Sequence, residues 1–159
     1  MRYKVEIKGK DVLMTSNPKL FLPNHEALVD PQIVLTYLYK YGMIVPLITE
    51  IYFKNPLLKR VFKGLKAVPV SELSANNRDA NVLNTIQSTA ITTLKNNTHV
   101  LLYPSGQLTN QGNEKLYNKQ SAWRVACQLP DHSKVIGLRI SGLWGSIWSK
   151  ALTGKSPDF

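Results

Sequence analysis

The sequence predicts an α/β domain in which helices flank a mostly parallel central sheet. Short apolar runs typical of buried strands recur along the chain, and segments with helical periodicity separate them. This alternation favours strand–helix–strand units, whose strands pair in parallel. With 159 residues, the chain is long enough for one domain with its own hydrophobic core. We therefore expect a single domain over residues 1–159.

The predicted strands fall into two kinds. Residues 3–8 alternate apolar and polar side chains, as an edge strand does. The other predicted strands are mainly apolar, and they cover residues 20–22, 43–49, 67–70, 99–103 and 135–140. Pro23 ends the run at 20–22, because proline has no N–H to donate to a neighbouring strand. The run at 99–103 is the most apolar, so we expect it at the centre of the sheet.

The predicted helices cover residues 31–39, 56–66, 76–95 and 121–128. Pro31 and Pro56 stand where a helix begins, a position that tolerates a residue without an N–H. Gly42 follows the first helix and accepts the positive φ that often ends one. Asn96 and Asn97 end the third helix.

The most informative segment is NHEALVDP at residues 24–31, between the strand at 20–22 and the first helix. A neutral imidazole accepts a proton near pH 7, and a nearby carboxylate can set its tautomer and stabilise the imidazolium. His25 and Asp30 are therefore candidates for a catalytic base and its orienting partner. A second interpretation stays open at this point: Asp30 is a helix N-cap and His25 an ordinary loop histidine.

Three segments together resemble the glycerolipid acyltransferases, the lysophosphatidic acid acyltransferase family. The spacing of His25 and Asp30 is similar to the family's His-x-x-x-x-Asp signature. VLLYPSGQ at residues 100–107 resembles its strand-turn block, and VIGLRI at 135–140 resembles its last block. Within the family, the chain is similar to the acyltransferase domain of bacterial lysophosphatidylethanolamine acyltransferase/acyl-carrier-protein synthetase fusions. The resemblance covers residues 21–150.

The resemblance implies a glycerol-3-phosphate acyltransferase-like fold and acyl transfer from acyl-CoA or acyl carrier protein to a lysophospholipid or related lipid acceptor. His25 would be the general base, oriented by Asp30. Ser105, Gly106 and Gln107 would contact the acceptor, and a backbone N–H near Gly106 would stabilise the oxyanion. The thioester is a co-substrate, so no metal and no organic cofactor is expected.

The chain departs from the family pattern at its polar positions. Ser105 stands where the family usually has Glu, and Gln107 stands where it usually has Arg. The predicted strand at residues 67–70 is followed by Ser71 and Glu72, where the family usually has an arginine. Because those arginines are assigned to the acceptor's phosphate, we expect a neutral or zwitterionic acceptor. The alternative is that other cations replace the lost charge: Lys63, Lys66, Lys115 or Arg139.

The composition indicates an anionic partner in a reducing compartment. Net charge is +10, and the chain has one cysteine and three histidines. The positive charge suits an anionic lipid surface, acyl carrier protein or coenzyme A. Nucleic acid would suit the charge too, but no helix-turn-helix, zinc or aromatic-stacking signature accompanies it, so we expect none. The single Cys127 excludes an intramolecular disulfide, and the sparse histidines give no sign of a metal site.

The basic segment 54–66 carries five cations and no acid. It fits an amphipathic helix on an anionic membrane or one that receives an acyl carrier, and equally a surface helix with an ordinary solvated face. No apolar run approaches the about 20 residues that span a bilayer, and the N-terminus has no signal-peptide core. We expect a cytoplasmic protein, peripheral on the inner face of the membrane.

Other interpretations remain open on the sequence alone. The lost Glu and Arg would suit a non-catalytic lipid- or acyl-carrier-binding domain. A serine hydrolase centred on Ser105 is disfavoured, since the first glycine of a nucleophile elbow is missing. Trp144 and Trp148 suit an acyl pocket, a membrane or partner surface, or the core. Residues 155–159 carry no helix or strand signal, so we expect an excised domain or a chain that continues.

Overall fold

Five strands form one sheet in the order β3-β2-β4-β1-β5, and every neighbouring pair is parallel. The computed structural model describes residues 4–70, 80–110, 112–116 and 119–151. The strands are β1 (Lys19–Pro23), β2 (Ile44–Thr49), β3 (Val68–Val70), β4 (His99–Leu101) and β5 (Lys134–Leu138). The predicted parallel α/β architecture is confirmed, and β4 is the central strand.

Within the described residues, four α-helices connect the strands: α1 (Asp30–Leu38), α2 (Pro56–Gly64), α3 (Ala80–Lys95) and α4 (Ser121–Cys127). They cover both faces of the sheet, and each face has its own hydrophobic core. Leu20 and Val100 face a cluster that contains α3 and α4 side chains, among them Leu94 and Val125. Phe21 and Leu101, each one residue further along, face the cluster built on α1. This two-residue alternation is how one buried strand serves two cores.

The strand order brings the carboxyl ends of β1 and β4 side by side. The connection from β1 runs to β2, beyond β4, whereas the connection from β4 runs the opposite way to β5, beyond β1. In open parallel sheets, such a reversal opens a crevice beyond the strand ends, where ligands bind. The segments that follow β1 and β4 contain His25 and Ser105, so the crevice contains the candidate residues.

One predicted strand is wrong. Residues 4–9 pair with no strand, and the side chains of residues 4–8 are exposed or half-buried. Alternation shows that one side of a segment is more apolar than the other, but pairing also requires an unoccupied sheet edge within reach. The predicted start of the long helix at 76–79 lies outside the described residues, as do Ser71 and Glu72; within them, α3 begins at Ala80.

A buried histidine, His99, holds the amino-terminal ends of β1 and β4 together. The backbone N–H of Lys19 donates to Nδ1 of His99 at 3.0 Å, and Nε2 of His99 lies 3.2 Å from the carbonyl oxygen of Tyr41. The proton must therefore be on Nε2, and burial lowers the pKa of His99, which keeps the ring neutral. His99 is structural, while His132 is exposed.

In the part of the chain that the structure describes, every helix is too short or too polar to cross a bilayer.

Gly42→Ala should destabilise the fold. Gly42 has φ 143°, and an added Cβ would lie 2.7 Å from Nε2 of His99. The clash and the strained φ together should lower the free energy of unfolding by about 1–3 kcal/mol, measured by urea denaturation. Gly64→Ala is the matched control, because nothing lies within 4 Å of its added Cβ. Equal stability of the two variants would contradict the steric account.

Candidate active site

The turn between β1 and α1 brings His25 and Asp30 into direct contact. Nδ1 of His25 lies 3.0 Å from Oδ2 of Asp30. The Asp30 side chain is fully buried, and 14% of the His25 side chain is exposed. The two candidate residues therefore form a hydrogen-bonded pair of which only the imidazole reaches solvent.

Asp30 does not cap the helix. Val29 occupies the N-cap position of α1, and no side chain caps that end. The Asp30 carboxylate instead turns back over the preceding residues, where Oδ2 accepts the N–H groups of Glu26 at 2.6 Å and Ala27 at 2.9 Å. The N-cap interpretation is wrong, because three donors from the turn converge on the same carboxylate oxygen.

This arrangement determines the histidine tautomer. An ionised carboxylate only accepts hydrogen bonds, so Nδ1 of His25 must carry the proton and donate it to Asp30. The lone pair is then on Nε2, the nitrogen that a general base uses. The ring cannot turn over without breaking its bond to a carboxylate that is held in place by two backbone donors.

Tyr103, just beyond β4, covers the imidazole. Its ring centroid lies 4.3 Å from that of His25, with 36° between the ring planes. Among the described residues, its buried hydroxyl has no hydrogen-bond partner. Burial raises the pKa of Tyr103 well above its usual range, and the carboxylates of Asp30 and Glu114 raise it further. Tyr103 is therefore a neutral phenol that packs against the imidazole of His25.

The turn after Tyr103 carries the candidate acceptor residues. The Ser105 hydroxyl lies 2.9 Å from the carbonyl oxygen of Gln107 and also bonds the carboxylate of Glu114. Gly106 has φ 64°, and its N–H donates to the carbonyl oxygen of Tyr103 at 3.1 Å. The expectation of an oxyanion donor at Gly106 is wrong for this conformation, because the turn already uses that N–H.

The two candidate segments meet at the carboxyl ends of β1 and β4. The N–H of Thr109 donates to the carbonyl oxygen of His25 at 2.9 Å, which joins the loop after β4 to the histidine. Beside this contact lies a small pocket, open to solvent, of about 70 Å³. Its lining is mostly polar and consists of Ser105, Gln107, Leu108, Thr109, Asn110, Asn113, Glu114 and Lys115.

Glu26 is a functional candidate that the sequence analysis missed. It is buried, and its Oε2 accepts the N–H groups of Leu143 and Trp144, each at 3.0 Å. The neighbouring Asn24 makes two hydrogen bonds between its amide and the backbone of Ile140, at 2.6 and 2.9 Å. The histidine turn thus holds the segment that follows β5. The scarcity of acids in this basic chain was the one signal that could have drawn attention to Glu26.

Trp144 packs against the loop after β4 that lines the pocket, which we call the pocket loop. Its indole packs against Gly112, where an added Cβ would lie 3.2 Å from Nε1 of Trp144. Trp148 contributes its carbonyl oxygen, which accepts the N–H of Leu28 at 2.9 Å. Both tryptophans are half-buried. Their segment therefore packs beside the histidine turn.

Metal-binding side chains do not converge at this site. Within the described ranges, no three His, Cys, Asp or Glu side chains are grouped so that they could hold a metal ion. Cys127 lies exposed at the end of α4, with its thiol free.

Glu26→Ala should loosen the segment after β5. The substitution leaves two buried N–H groups without an acceptor, at a cost of about 2 kcal/mol in the free energy of unfolding. Exchange of the backbone amide hydrogens should accelerate more at Leu143 and Trp144 than in β4. Glu26→Gln is the matched control, because it keeps an acceptor oxygen and should change exchange less. Unchanged exchange at these amides in Glu26→Ala would disprove the positioning role.

Comparison with known proteins agrees with this geometry at the level of the family. A search of curated proteins finds no significant match, and neither does a search of solved structures. The Acyltransferase family model matches residues 4–141, which include the His25–Asp30 turn, the pocket loop and all five strands. The chain belongs to the Acyltransferase family.

Proposed function

We propose that the protein moves a fatty acyl group from acyl-CoA or acyl carrier protein to a lysophospholipid or related lipid acceptor. The observation that carries this proposal is the His25–Asp30 pair, whose 3.0 Å contact leaves Nε2 of the imidazole free to take a proton. The pair lies at the carboxyl edge of a parallel sheet, beside a polar pocket. Membership of the Acyltransferase family supports the reaction class.

In the proposed mechanism, His25 acts as a general base on the acceptor. Nε2 takes the proton of the acceptor's hydroxyl or amine as that atom attacks the thioester carbonyl. Asp30 stabilises the imidazolium that forms. The tetrahedral intermediate then collapses and the C–S bond breaks. The leaving thiolate takes the proton from Nε2 of His25. The thioester supplies the activated acyl group, so the reaction needs neither a metal nor an organic cofactor.

The proposed acceptor contacts come from Ser105, Gly106 and Gln107. Gln107 is exposed and offers hydrogen-bond donors without charge, and Gly106 is exposed as well. Arginine suits phosphate through its fixed charge and forked donors, and Gln107 lacks both. A neutral or zwitterionic acceptor therefore fits this turn better than glycerol-3-phosphate or lysophosphatidic acid. The likeness to acyltransferase domains fused to acyl-carrier-protein synthetases supports a thioester on a carrier or on coenzyme A as donor.

We also propose that α2 attaches the protein to the anionic inner face of the cytoplasmic membrane. Lys59, Arg60 and Lys63 are exposed on this helix, and 51% of Val61 is exposed beside them. Phe62 is half-buried, with its ring centroid 5.3 Å from that of Phe53. Cations beside exposed apolar surface are the combination that an anionic lipid surface attracts.

His25→Ala should lower the rate of acceptor-dependent thiol release about a thousandfold, because the base is lost. Asp30→Asn should lower it by a similar factor, since it removes the acceptor that sets the tautomer. His132→Ala replaces an exposed histidine and should leave the rate unchanged. Circular dichroism establishes that each variant is folded.

A wild-type rate that survives His25→Ala would disprove the mechanism. Failure of the folded wild-type protein to turn over any lipid acceptor would favour the alternative, a non-catalytic domain that binds lipids or acyl carriers.

Replacing Lys59, Arg60 and Lys63 with Gln should weaken binding to phosphatidylglycerol vesicles. Each cation near such a surface contributes about 1 kcal/mol, so the expected loss is roughly a hundredfold, measured by co-sedimentation. Replacing the exposed Lys4, Lys10 and Lys95 with Gln makes the same charge change elsewhere and should weaken binding far less. Equal losses in the two triple variants would show that overall charge, and not α2, attracts the vesicles.

A further inference from the structure

Two buried polar atoms beside the His25 ring lack a hydrogen-bond partner in the described part of the chain. They are the hydroxyl oxygen of Tyr103 and Oδ1 of Asp30. The other carboxylate oxygen, Oδ2, already accepts three hydrogen bonds. A phenol donates one hydrogen bond and an ionised carboxylate only accepts, so the two atoms are complementary. Because a buried polar atom without a partner is costly, both atoms call for one.

The two atoms belong to side chains that contact the same imidazole. The ring of Tyr103 packs against His25 with 4.3 Å between centroids, and Asp30 bonds Nδ1 of the same ring at 3.0 Å. The sheet fixes this arrangement, because β1 and β4 are neighbours and Leu102 donates its N–H to the carbonyl oxygen of Phe21 at 3.0 Å. Tyr103 thus approaches the pair from the strand next to the one that leads into His25.

Two carboxylates compete for the proton of the phenol. Burial and then the charges of Asp30 and Glu114 raise the pKa of Tyr103, so the hydroxyl keeps its proton near pH 7. Glu114 is half-buried, already accepts the Ser105 hydroxyl, and lines the solvent-open pocket together with Lys115. Oδ1 of Asp30 is buried and has no donor, so it gains more from a hydrogen bond.

The charge on Asp30 acts mainly on the imidazole. Across the residues that the structure describes, the ion pair of Asp30 is the one with His25. Glu26, in the same turn, is engaged by two backbone N–H groups of the segment after β5. From the pocket loop, the uncharged Thr109 donates its N–H to the carbonyl oxygen of His25. A donor on Oδ1 would therefore change the charge that the imidazole faces most directly.

We infer that Tyr103 is a positioning residue for the His25–Asp30 pair, and that its hydroxyl supplies, through one bound water, the hydrogen bond that Oδ1 of Asp30 lacks. The inference rests on the proposed acyl transfer and adds a residue that acts on the base through Asp30. A water is the link, since the two atoms make no direct hydrogen bond. The hydroxyl oxygen is buried, so it does not touch the substrate.

The bond to Oδ1 sets how strongly the imidazole holds a proton. A donor on the carboxylate spreads its negative charge, so the imidazolium is stabilised less. Nε2 of His25 is then free to act as a base at a lower pH than it would be beside an unshared charge. The ring of Tyr103 and its hydroxyl thus have separate effects, the first on the place of the imidazole and the second on its protonation.

Tyr103→Phe removes the hydroxyl and keeps the ring. The acid limb of the kcat/KM profile should move to higher pH by about half a unit, because the unshared charge of Asp30 holds the imidazolium more strongly. KM at the pH optimum should stay the same. Tyr39→Phe is the matched control and should not move the limb, because its phenol lies at the amino-terminal end of β2, 3.2 and 3.4 Å from the carbonyl oxygens of Ile44 and Leu65.

A titration without turnover separates this inference from the proposed function. Proton NMR of the His25 ring, assigned from the signals lost in His25→Ala, gives the pH at which the ring takes its proton. Tyr103→Phe should raise this midpoint by the same half unit, and that result supports the inference even if no acyl transfer is found. An unchanged midpoint overturns the inference, while turnover that depends on His25 leaves the proposed function standing.

Two further measurements identify the partner of the phenol. In a Glu114→Gln background, Tyr103→Phe should shift the midpoint by the same amount; a shift that disappears there means that the phenol acts through Glu114 and overturns the inference. Loss of a bonded hydroxyl should also lower Tm by about 3 °C. A Tm of Tyr103→Phe at or above that of the wild-type protein would show that the hydroxyl makes no such bond.

Discussion

The site depends on one buried oxygen atom, Oδ2 of Asp30. It accepts hydrogen bonds from the ring of His25 and from the backbone of Glu26 and Ala27. These bonds close the turn between β1 and α1, set the imidazole tautomer and hold the ring against Tyr103. A buried carboxylate with fewer donors would be costly, so the hydrogen bonds to Asp30 and the conformation of the turn stabilise each other.

Acidic residues do the positioning in this basic chain. Asp30 orients the His25 ring, and Glu26 holds the segment after β5 through the N–H groups of Leu143 and Trp144. Glu114 lies in the pocket on the other side of the turn, bonded by Ser105. The exposed lysines and arginine of α2 lie on an outer helix. The charges are thus separated in space: these carboxylates lie at the carboxyl ends of the strands, where burial strengthens their hydrogen bonds, and the cations of α2 face the solvent.

Much of the fold could be predicted because hydrophobic periodicity reports burial directly. The apolar run at β4 predicted the central strand, and the segment that contains His25 and Asp30 predicted a histidine–aspartate pair. The prediction of an edge strand at residues 3–8 was wrong, because alternation of apolar and polar side chains does not supply a neighbouring strand to pair with. The N-cap at Asp30 and the oxyanion donor at Gly106 were wrong for a related reason: each group is engaged by other donors or acceptors in the turn.

The sequence by itself determined the parallel α/β class and the pairing of a histidine with an aspartate, since both depend on contacts within a short span of chain. Only the tertiary structure decided the remaining parts of the site. Glu26 meets the backbone of Leu143, 117 residues away, and Tyr103 packs on His25 because β1 and β4 are neighbours. Local sequence patterns carry the propensity of one segment, whereas these contacts depend on which strand ends the sheet brings together.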